Sequence, residues 1–337
     1  MFFNAALAEE ASPGRTRLQY YRDGREVVCS LENLLAAAGR RLGDCDRVLE
    51  MACGYGRVTR HLVRELAPHR ITAAEILAPA VGFVGGTFGV DARRSCTEPE
   101  AFDVGRGFDL VFVSSLFSHL PRPRFEAWLT RLYDTLAPEG LLVFSTHGPA
   151  VRPEVPKDAS GFTFVPSSES RELEGEEYGS TFVSRAVVEE IAGRCGVAHL
   201  GFLERELWMV QDVVVASPAP VPGPSSWQNT SFVQGVVDRV ILRDGQFHVD
   251  GWAADGRRDA PLAAVRLLLD GRLVAEVPVG GRRGDVAAQL GRTDWAASGW
   301  ELHGTLPELP AGRHLVAAQG VTADGTEGVF EIVELEL

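Results

Sequence analysis

The stretch VLEMACGYGRVTRHL, residues 48–62, joins a short apolar run to a helical pattern through two closely spaced glycines. The apolar run ends near Glu50, the glycines are Gly54 and Gly56, and a helix is expected from about Arg57. A strand that passes through a glycine turn into a helix is typical of an open α/β sheet, which binds its cofactor at the carboxyl ends of the strands. This stretch therefore predicts a fold and a cofactor site together.

The segments around this turn predict the rest of such a sheet. Buried strands are expected at residues 47–52, 70–76, 108–115 and 140–146, and helices at residues 30–43 and 124–140. Pro138 and Gly140 are expected to end the second of these helices. Alternation of strands and helices is typical of a doubly wound, mostly parallel sheet with helices on both faces, so the fold class is α/β.

A proline-rich segment, SPAPVPGPSS at residues 217–226, interrupts this pattern. Prolines at every second position exclude a helix and an interior strand, and they favour an extended spacer. We therefore expect one domain at residues 1–216 and a second at residues 227–337.

After the spacer, short strands bounded by Asp-Gly and other glycine turns replace the alternation with helices. The expected strands lie in residues 245–255, 263–279, 300–309, 312–321 and 328–337. Asp-Gly between apolar runs indicates a hairpin, and several closely spaced strands predict an all-β antiparallel sandwich. In texture, and in fragments such as VDGWAAD and LLLDG, this region resembles the immunoglobulin-like accessory domains of bacterial carbohydrate-processing transferases.

Composition argues against several classes of partner. A net charge of −13 without a lysine or arginine block is a poor match for a phosphate backbone, so we expect no nucleic-acid partner. The five cysteines are scattered and form no C-x-x-C pair, which argues against a disulfide framework and a zinc site, and we expect no metal. Because we find neither a signal peptide nor an apolar run of about 18 residues, we expect no membrane partner and a cytoplasmic location.

The glycine turn also resembles a dinucleotide-binding motif, but two features disfavour that reading. The motif G-x-G-x-x-G requires a third glycine where Thr59 stands. Glu50 would also place a carboxylate near a doubly anionic pyrophosphate in a partly desolvated cleft. A ligand that carries an ammonium and a sulfonium would instead be attracted. An NAD-dependent oxidoreductase therefore remains as an alternative.

At these residues the chain resembles the class I S-adenosylmethionine-dependent methyltransferases, whose first motif, E/D-x-x-x-G-x-G, matches Glu50 to Gly56. The resemblance continues with Glu75, about 20 residues further on, where the family holds the ribose hydroxyls, and with residues 108–121 and 136–148. It implies a Rossmann-like fold with a sheet of the seven-stranded type and S-adenosyl-L-methionine as cofactor. The implied cofactor contacts are Glu50, Ala52, Gly54, Gly56, Glu75, Ile76, Ser114 and Ser115. The family often has an acid directly after the third strand, where it holds the adenine. In this sequence Cys96 and Thr97 stand at that point, before Glu98.

Two histidines are candidate bases for an acceptor that must lose a proton. His119 and His147 follow strands whose carboxyl ends should line the cleft, although both also suit a hydrogen-bonded loop position. The polar insert at residues 161–184 is expected to cover the site rather than join the core, or to be a solvated acidic loop. Its Tyr178 is a third catalytic candidate, and Glu169 and Ser170 are candidate acceptor contacts.

The second domain bears on the acceptor only through its resemblance to carbohydrate-associated domains. That resemblance favours O-methylation of a sugar, a polysaccharide intermediate or another small molecule. A protein that binds S-adenosylmethionine without catalysis is a further alternative. The sequence leaves the acceptor atom and the oligomeric state open.

Overall fold

The structure is a computed structural model that describes residues 15–152, 154–167, 173–208, 211–220, 233–243, 245–256, 260–307 and 309–336. It divides into a larger unit, residues 34–228, and a smaller unit formed by residues 229–337 together with residues 11–33. The division falls next to the predicted proline spacer, of which residues 221–226 lie outside the described residues. The domain limits 1–216 and 227–337 stay a prediction.

The larger unit alternates strands and helices over most of its length. Its helices are the C-terminal part of α1 (Arg15–Ala37), then α2 (Thr59–Glu65), α3 (Ala78–Phe88), α4 (Arg122–Tyr133) and α5 (Arg185–Arg194). Its strands are β1 (Val48–Met51), β2 (Ile71–Glu75), β3 (Asp91–Arg94), β4 (Phe108–Val113), β5 (Leu136–Thr146), β6 (Phe162–Val165), β7 (Ser180–Val183), β8 (His199–Leu207) and β9 (Gln211–Ser217).

Seven of these strands form one sheet in the order β3-β2-β1-β4-β5-β9-β8. Strands β1 to β5 pair in parallel, whereas β9 runs antiparallel to both β5 and β8. The prediction of a doubly wound, mostly parallel sheet of the seven-stranded type is therefore confirmed. The strand order reverses between β1 and β4, and in open α/β sheets the crevice beside such a reversal is where ligands bind.

Burial explains why these segments form strands and helices. All residues of β1 and β2 are buried, as expected for strands that are covered by helices on both faces. Helix α4 presents an apolar stripe of Phe125, Trp128, Leu129 and Leu132, spaced to lie on one face of a helix. These four side chains join the main core of the unit, which also contains Leu49.

Several helix boundaries differ from the prediction. Helix α1 ends at Ala37 rather than continuing to residue 43, and α2 begins at Thr59 rather than at Arg57. Helix α4 ends at Tyr133, so Pro138 lies in β5 instead of ending the helix. The pairing of β4 with β5 shifts register at this point, and such an irregularity accommodates a proline that has no N–H for the ladder.

The prediction that residues 161–184 stay outside the core is wrong. Strands β6 and β7 pair antiparallel, and Phe162, Phe182 and Val183 are buried. The sequence pattern misled because two short apolar strands flank a loop rich in serine and glutamate, and the loop dominates the composition. Glu169 and Ser170 lie outside the described residues.

The smaller unit contains two antiparallel sheets. Its strands are β10 (Val233–Arg243), β11 (Gln246–Asp255), β12 (Ala260–Pro261), β13 (Ala264–Leu269), β14 (Arg272–Pro278), β15 (Gly299–Thr305), β16 (Arg313–Val321) and β17 (Glu327–Glu336), and its helix α6 spans Gly284–Leu290. One sheet pairs β11 with β10, β12 and β15, and the other has the order β14-β13-β16-β17. The predicted antiparallel strands are present, while the immunoglobulin-like resemblance stays a prediction.

Among the described helices of the chain, none is long and apolar enough to cross a membrane.

Candidate cofactor and acceptor site

Two backbone conformations mark the carboxyl edge of the larger sheet. Ala52 follows β1 with a φ of 58°, and Ser115 follows β4 with a φ of 56°. A non-glycine residue in this region costs about 1–3 kcal/mol and is found most often at ligand sites. Because Met51 pairs with Val113 in the parallel ladder, the two strained residues lie at the same edge, beside the reversal of strand order.

The two positions after β1 require glycine for different reasons. Both have a positive φ, 55° at Gly54 and 73° at Gly56. A Cβ on Gly56 would lie 2.5 Å from the ring of Phe88, so this glycine allows α3 to pack closely. A Cβ on Gly54 would meet no atom within 4 Å. The first glycine therefore leaves open space beside the turn.

Glu75 ties this turn to the end of β2. Its Oε2 accepts a hydrogen bond from the backbone N–H of Gly54 at 2.8 Å. Its Oε1 accepts from the N–H groups of Ile76 at 2.7 Å and Leu77 at 3.1 Å. A carboxylate offers about four acceptor positions, so Oε2 retains one position for a further donor. The structure thus brings the predicted residues Glu75, Gly54 and Ile76 together.

Glu50 is buried beneath the turn rather than exposed at the strand end. Only 3% of its surface is exposed, and its Oε2 accepts a hydrogen bond from Thr59 Oγ1 at 2.6 Å. Burial raises the pKa of Glu50 to about 7, although the Thr59 hydrogen bond and the nearby Arg57 act in the opposite direction. Near neutral pH this carboxyl is therefore divided between its charged and neutral forms.

Arg57 and Trp208 add a second loop to the same edge. The Arg57 guanidinium lies 4.3 Å from the centre of the Trp208 ring, which is cation–π distance. Trp208 follows β8 and has a φ of 52°. Trp208 was not predicted from the sequence, because a lone tryptophan between two strands gives no periodic signal. Thr59 differed from the dinucleotide-binding motif only as a missing third glycine, and its bond to Glu50 was not predicted either.

A polar relay connects the ends of β4, β5 and β9. The N–H of Ser115 donates to Ser145 Oγ at 2.9 Å. Gln211 Nε2 lies 3.1 Å from Ser115 Oγ and 3.1 Å from His147 Nε2. Since an amide nitrogen is a donor, His147 Nε2 acts as the acceptor in this arrangement. Ser114, next to the relay, is half-buried.

The three predicted catalytic residues lie close together. His119 is buried, and its Nδ1 contacts the carbonyl oxygen of Gly179 at 2.7 Å. Its ring stacks on Tyr178 with the ring centres 4.6 Å apart, and it lies 6.2 Å from the ring of His147. Because a carbonyl only accepts hydrogen bonds, the proton of neutral His119 lies on Nδ1 and its Nε2 is the basic nitrogen.

After β3, no acid among the described residues makes a contact that directs it towards the carboxyl edge of the sheet. Cys96 Sγ lies 3.1 Å from the carbonyl oxygen of Glu98. The Glu98 carboxylate pairs with Arg124, whose hydrogen bond lowers the pKa of Glu98. The adenine contact therefore stays unassigned.

The larger unit thus has a Rossmann-like sheet with a candidate site at its carboxyl edge. Residues 19–180 match the family model described as a methyltransferase domain. The cofactor that fits this match is S-adenosylmethionine.

Known proteins with similar sequences and structures include methyltransferases. Over 103 residues the chain is 30% identical to a malonyl-[acyl-carrier protein] O-methyltransferase of Bacillus cytotoxicus, which covers 30% of this chain and 35% of that protein. Over 145 residues it is 28% identical to a trans-aconitate 2-methyltransferase of Streptomyces avermitilis, covering 41% of this chain and 52% of that protein. The DhpI–SAH complex is 22% identical, with a TM-score of 0.40, over 60% of this chain and 95% of that chain. The chain thus spans about half or less of these two curated relatives.

Proposed function

We propose that the larger unit is an S-adenosylmethionine-dependent O-methyltransferase for a small-molecule acceptor, with the acceptor bound beside His119, His147 and Tyr178. The observation that carries this proposal is the hydrogen bond of Glu75 to Gly54, which places the acid and the open glycine turn at one point beside the reversal of strand order. The match of residues 19–180 to a methyltransferase domain supports the same assignment.

The residues around the turn suit a cationic cofactor. Gly54 leaves room beside the backbone, and Glu75 Oε2 has one acceptor position for a ribose hydroxyl. Glu50 supplies negative potential beneath the turn when it is ionised. The cofactor supplies an electrophilic methyl group, and the chain's task is to align the acceptor with it and exclude water.

Of the two histidines, His119 suits the role of general base better. Its Nδ1 is fixed by the Gly179 carbonyl, so Nε2 is the nitrogen that accepts a proton. Stacking on Tyr178 holds the ring in place. His147 Nε2 instead accepts from Gln211, which suits a positioning role. A hydroxyl acceptor requires such a base, whereas a carboxylate acceptor has no proton to lose.

A lysine near the site and the names of two relatives favour an acceptor with an acidic group. The names of the two curated relatives contain malonyl, an acyl group with a free carboxylate, and trans-aconitate, the anion of a carboxylic acid. The Lys157 ammonium lies 4.1 Å from the centre of the Phe182 ring, and that ring lies 5.8 Å from His147. Lys157 also donates to the carbonyl oxygens of Arg152 and Val155, so one of its three N–H groups remains for an acidic group of a hydroxyl acceptor. A sugar acceptor rests on the resemblance of the smaller unit and has no support from these relatives.

The test is transfer of labelled methyl groups to panels of small carboxylic acids, phenols and nucleotide sugars. Gly56→Ala should abolish transfer and weaken cofactor binding, because the new Cβ would meet Phe88 and the φ is strained. Gly193→Ala is the matched control, because a Cβ there meets no atom within 4 Å. Cofactor binding without transfer to any acceptor would favour the non-catalytic alternative. Binding of NAD instead of S-adenosylmethionine would revive the oxidoreductase.

A further inference from the structure

Four polar side chains share one face of the smaller unit. Strands β11 and β15 pair antiparallel, with His248 opposite His303 and Asp250 opposite Glu301. Side chains alternate between the two faces of a strand, and Val249, between His248 and Asp250, points into the core. The four polar residues therefore occupy the outer face, where directly opposed side chains are about 4.5–5.5 Å apart at Cβ.

Three of these residues bring ligand atoms to one point. His248 Nε2 lies 2.8 Å from Glu301 Oε1, and the same oxygen lies 3.2 Å from His303 Nε2. All three atoms lie within 4.8 Å of one another. In a tetrahedral zinc site with bonds of about 2.0–2.1 Å, ligand atoms are about 3.3 Å apart. The His248 and His303 rings stack with their centres 4.2 Å apart, so the rings must turn for both Nε2 atoms to point at one ion.

Hydrogen bonds alone do not explain why these three side chains lie together. His248 Nε2 is buried and has no partner with hydrogen-bond geometry, although Glu301 Oε1 is close. The Glu301 oxygen is thus close to the nitrogen without being aligned for a hydrogen bond, and Asp250 Oδ2 lies 3.4 Å from the same nitrogen. Asp250 is already paired with Arg239 at 2.6 Å, so it borders the cluster rather than completing it.

We propose that His248, Glu301 and His303 bind a divalent transition-metal ion of the zinc type. Two imidazoles and one carboxylate suit zinc, whereas calcium and magnesium prefer oxygen ligands only. Glu301 and His303 are 57% and 63% exposed, which leaves room for water as a further ligand. The ion would link β11 to β15. The expectation of no metal rested on the cysteine spacing, and this site uses no cysteine.

The test uses the full chain and competition with a zinc-chelating dye. The wild-type protein should bind one Zn²⁺, and His303→Ala and Glu301→Gln should each lower the affinity at least about tenfold. Both side chains are exposed, so neither change should disturb folding. His69→Ala, an exposed histidine of the larger unit, is the matched control and should leave the affinity unchanged.

Cobalt substitution separates this site from the cysteines. Bound Co²⁺ should show visible bands of a nitrogen and oxygen ligand set, and these bands should disappear in His303→Ala. A thiolate charge-transfer band that persists in His303→Ala would instead assign the ion to a cysteine such as Cys96 and overturn the proposal. Equal Zn²⁺ affinity in the wild-type protein and in both variants would overturn it as well.

Discussion

In the larger unit the candidate site lies at the ends of strands, whereas in the smaller unit the histidine–glutamate cluster lies on the face of two strands. Parallel strands direct all their carboxyl ends to one edge, so the residues after β1, β2, β4 and β5 meet there although they are not partners in the strand ladder. In an antiparallel pair, polar residues at every second position meet across the ladder instead.

This difference decides which site a sequence can reveal. The edge site is visible because strand, glycine turn and acid lie within a few residues, from Glu50 to Gly56. The face site depends on the register of β11 against β15, which lie about 50 residues apart and are joined through other elements. Variants of His119, Glu50 and Glu75 test the edge site, whereas Zn²⁺ binding by His303→Ala tests the face site.

His119→Ala should lower methyl transfer to a hydroxyl acceptor about 10²–10⁴-fold, because it removes the proposed base. His147→Ala should have a smaller effect, because its Nε2 already accepts from Gln211. Cofactor affinity, measured by calorimetry, should change little in either variant.

Two results would change the assignment of the base. A loss of activity in His147→Ala that exceeds the loss in His119→Ala would exchange their roles. Near-native turnover of a hydroxyl acceptor in both variants would contradict histidine catalysis and would favour alignment alone or Tyr178.

Glu50→Gln should change how stability depends on pH. The folded state raises the pKa of Glu50 from 4.5 to about 7, so it binds the proton more tightly than the unfolded state does. The contribution of this group to stability therefore falls as the pH rises from 4.5 to 7, by about 3 kcal/mol in total, at 1.36 kcal/mol per pKa unit. Glu50→Gln removes this dependence. Urea unfolding of the ligand-free protein should show the variant gaining stability on the wild type between pH 5 and pH 8.

The matched control for this change is Glu100→Gln, because Glu100 is an exposed acid of the same unit. The control should follow the wild type at both pH values. An equal pH dependence in wild type and Glu50→Gln would mean that Glu50 is not the buried acid that the geometry indicates.

Glu75→Ala should weaken S-adenosylmethionine binding at least about tenfold. The change removes a ribose acceptor and also releases the N–H groups of Gly54, Ile76 and Leu77. Calorimetry measures the loss, with Glu100→Ala as an exposed control that should bind normally. Unchanged binding in Glu75→Ala would remove this acid from the site.

The sequence predicted the parallel sheet and the edge at which the site lies because both follow from local patterns. Burial of Glu50 under the turn and its bond to Thr59 were not predictable, because they depend on where α2 packs. The hairpin β6–β7 was missed because its polar loop dominated the composition. Helix α6 was missed because seven residues give little periodic signal.

The smallest effect is expected from separating the two units. Cutting the chain after Pro222 should yield two folded fragments, and residues 1–222 should bind S-adenosylmethionine within about twofold of the full chain. The reason is that Glu50, Gly54, Gly56 and Glu75 all lie in the larger unit and are held by contacts within it. Most of α1, however, groups with the smaller unit. The fragment 1–222 therefore contains α1 but lacks residues 229–337, with which α1 groups. Aggregation of the fragment, or a tenfold loss of affinity, would place the domain boundary elsewhere and assign α1 a share in holding the cofactor site.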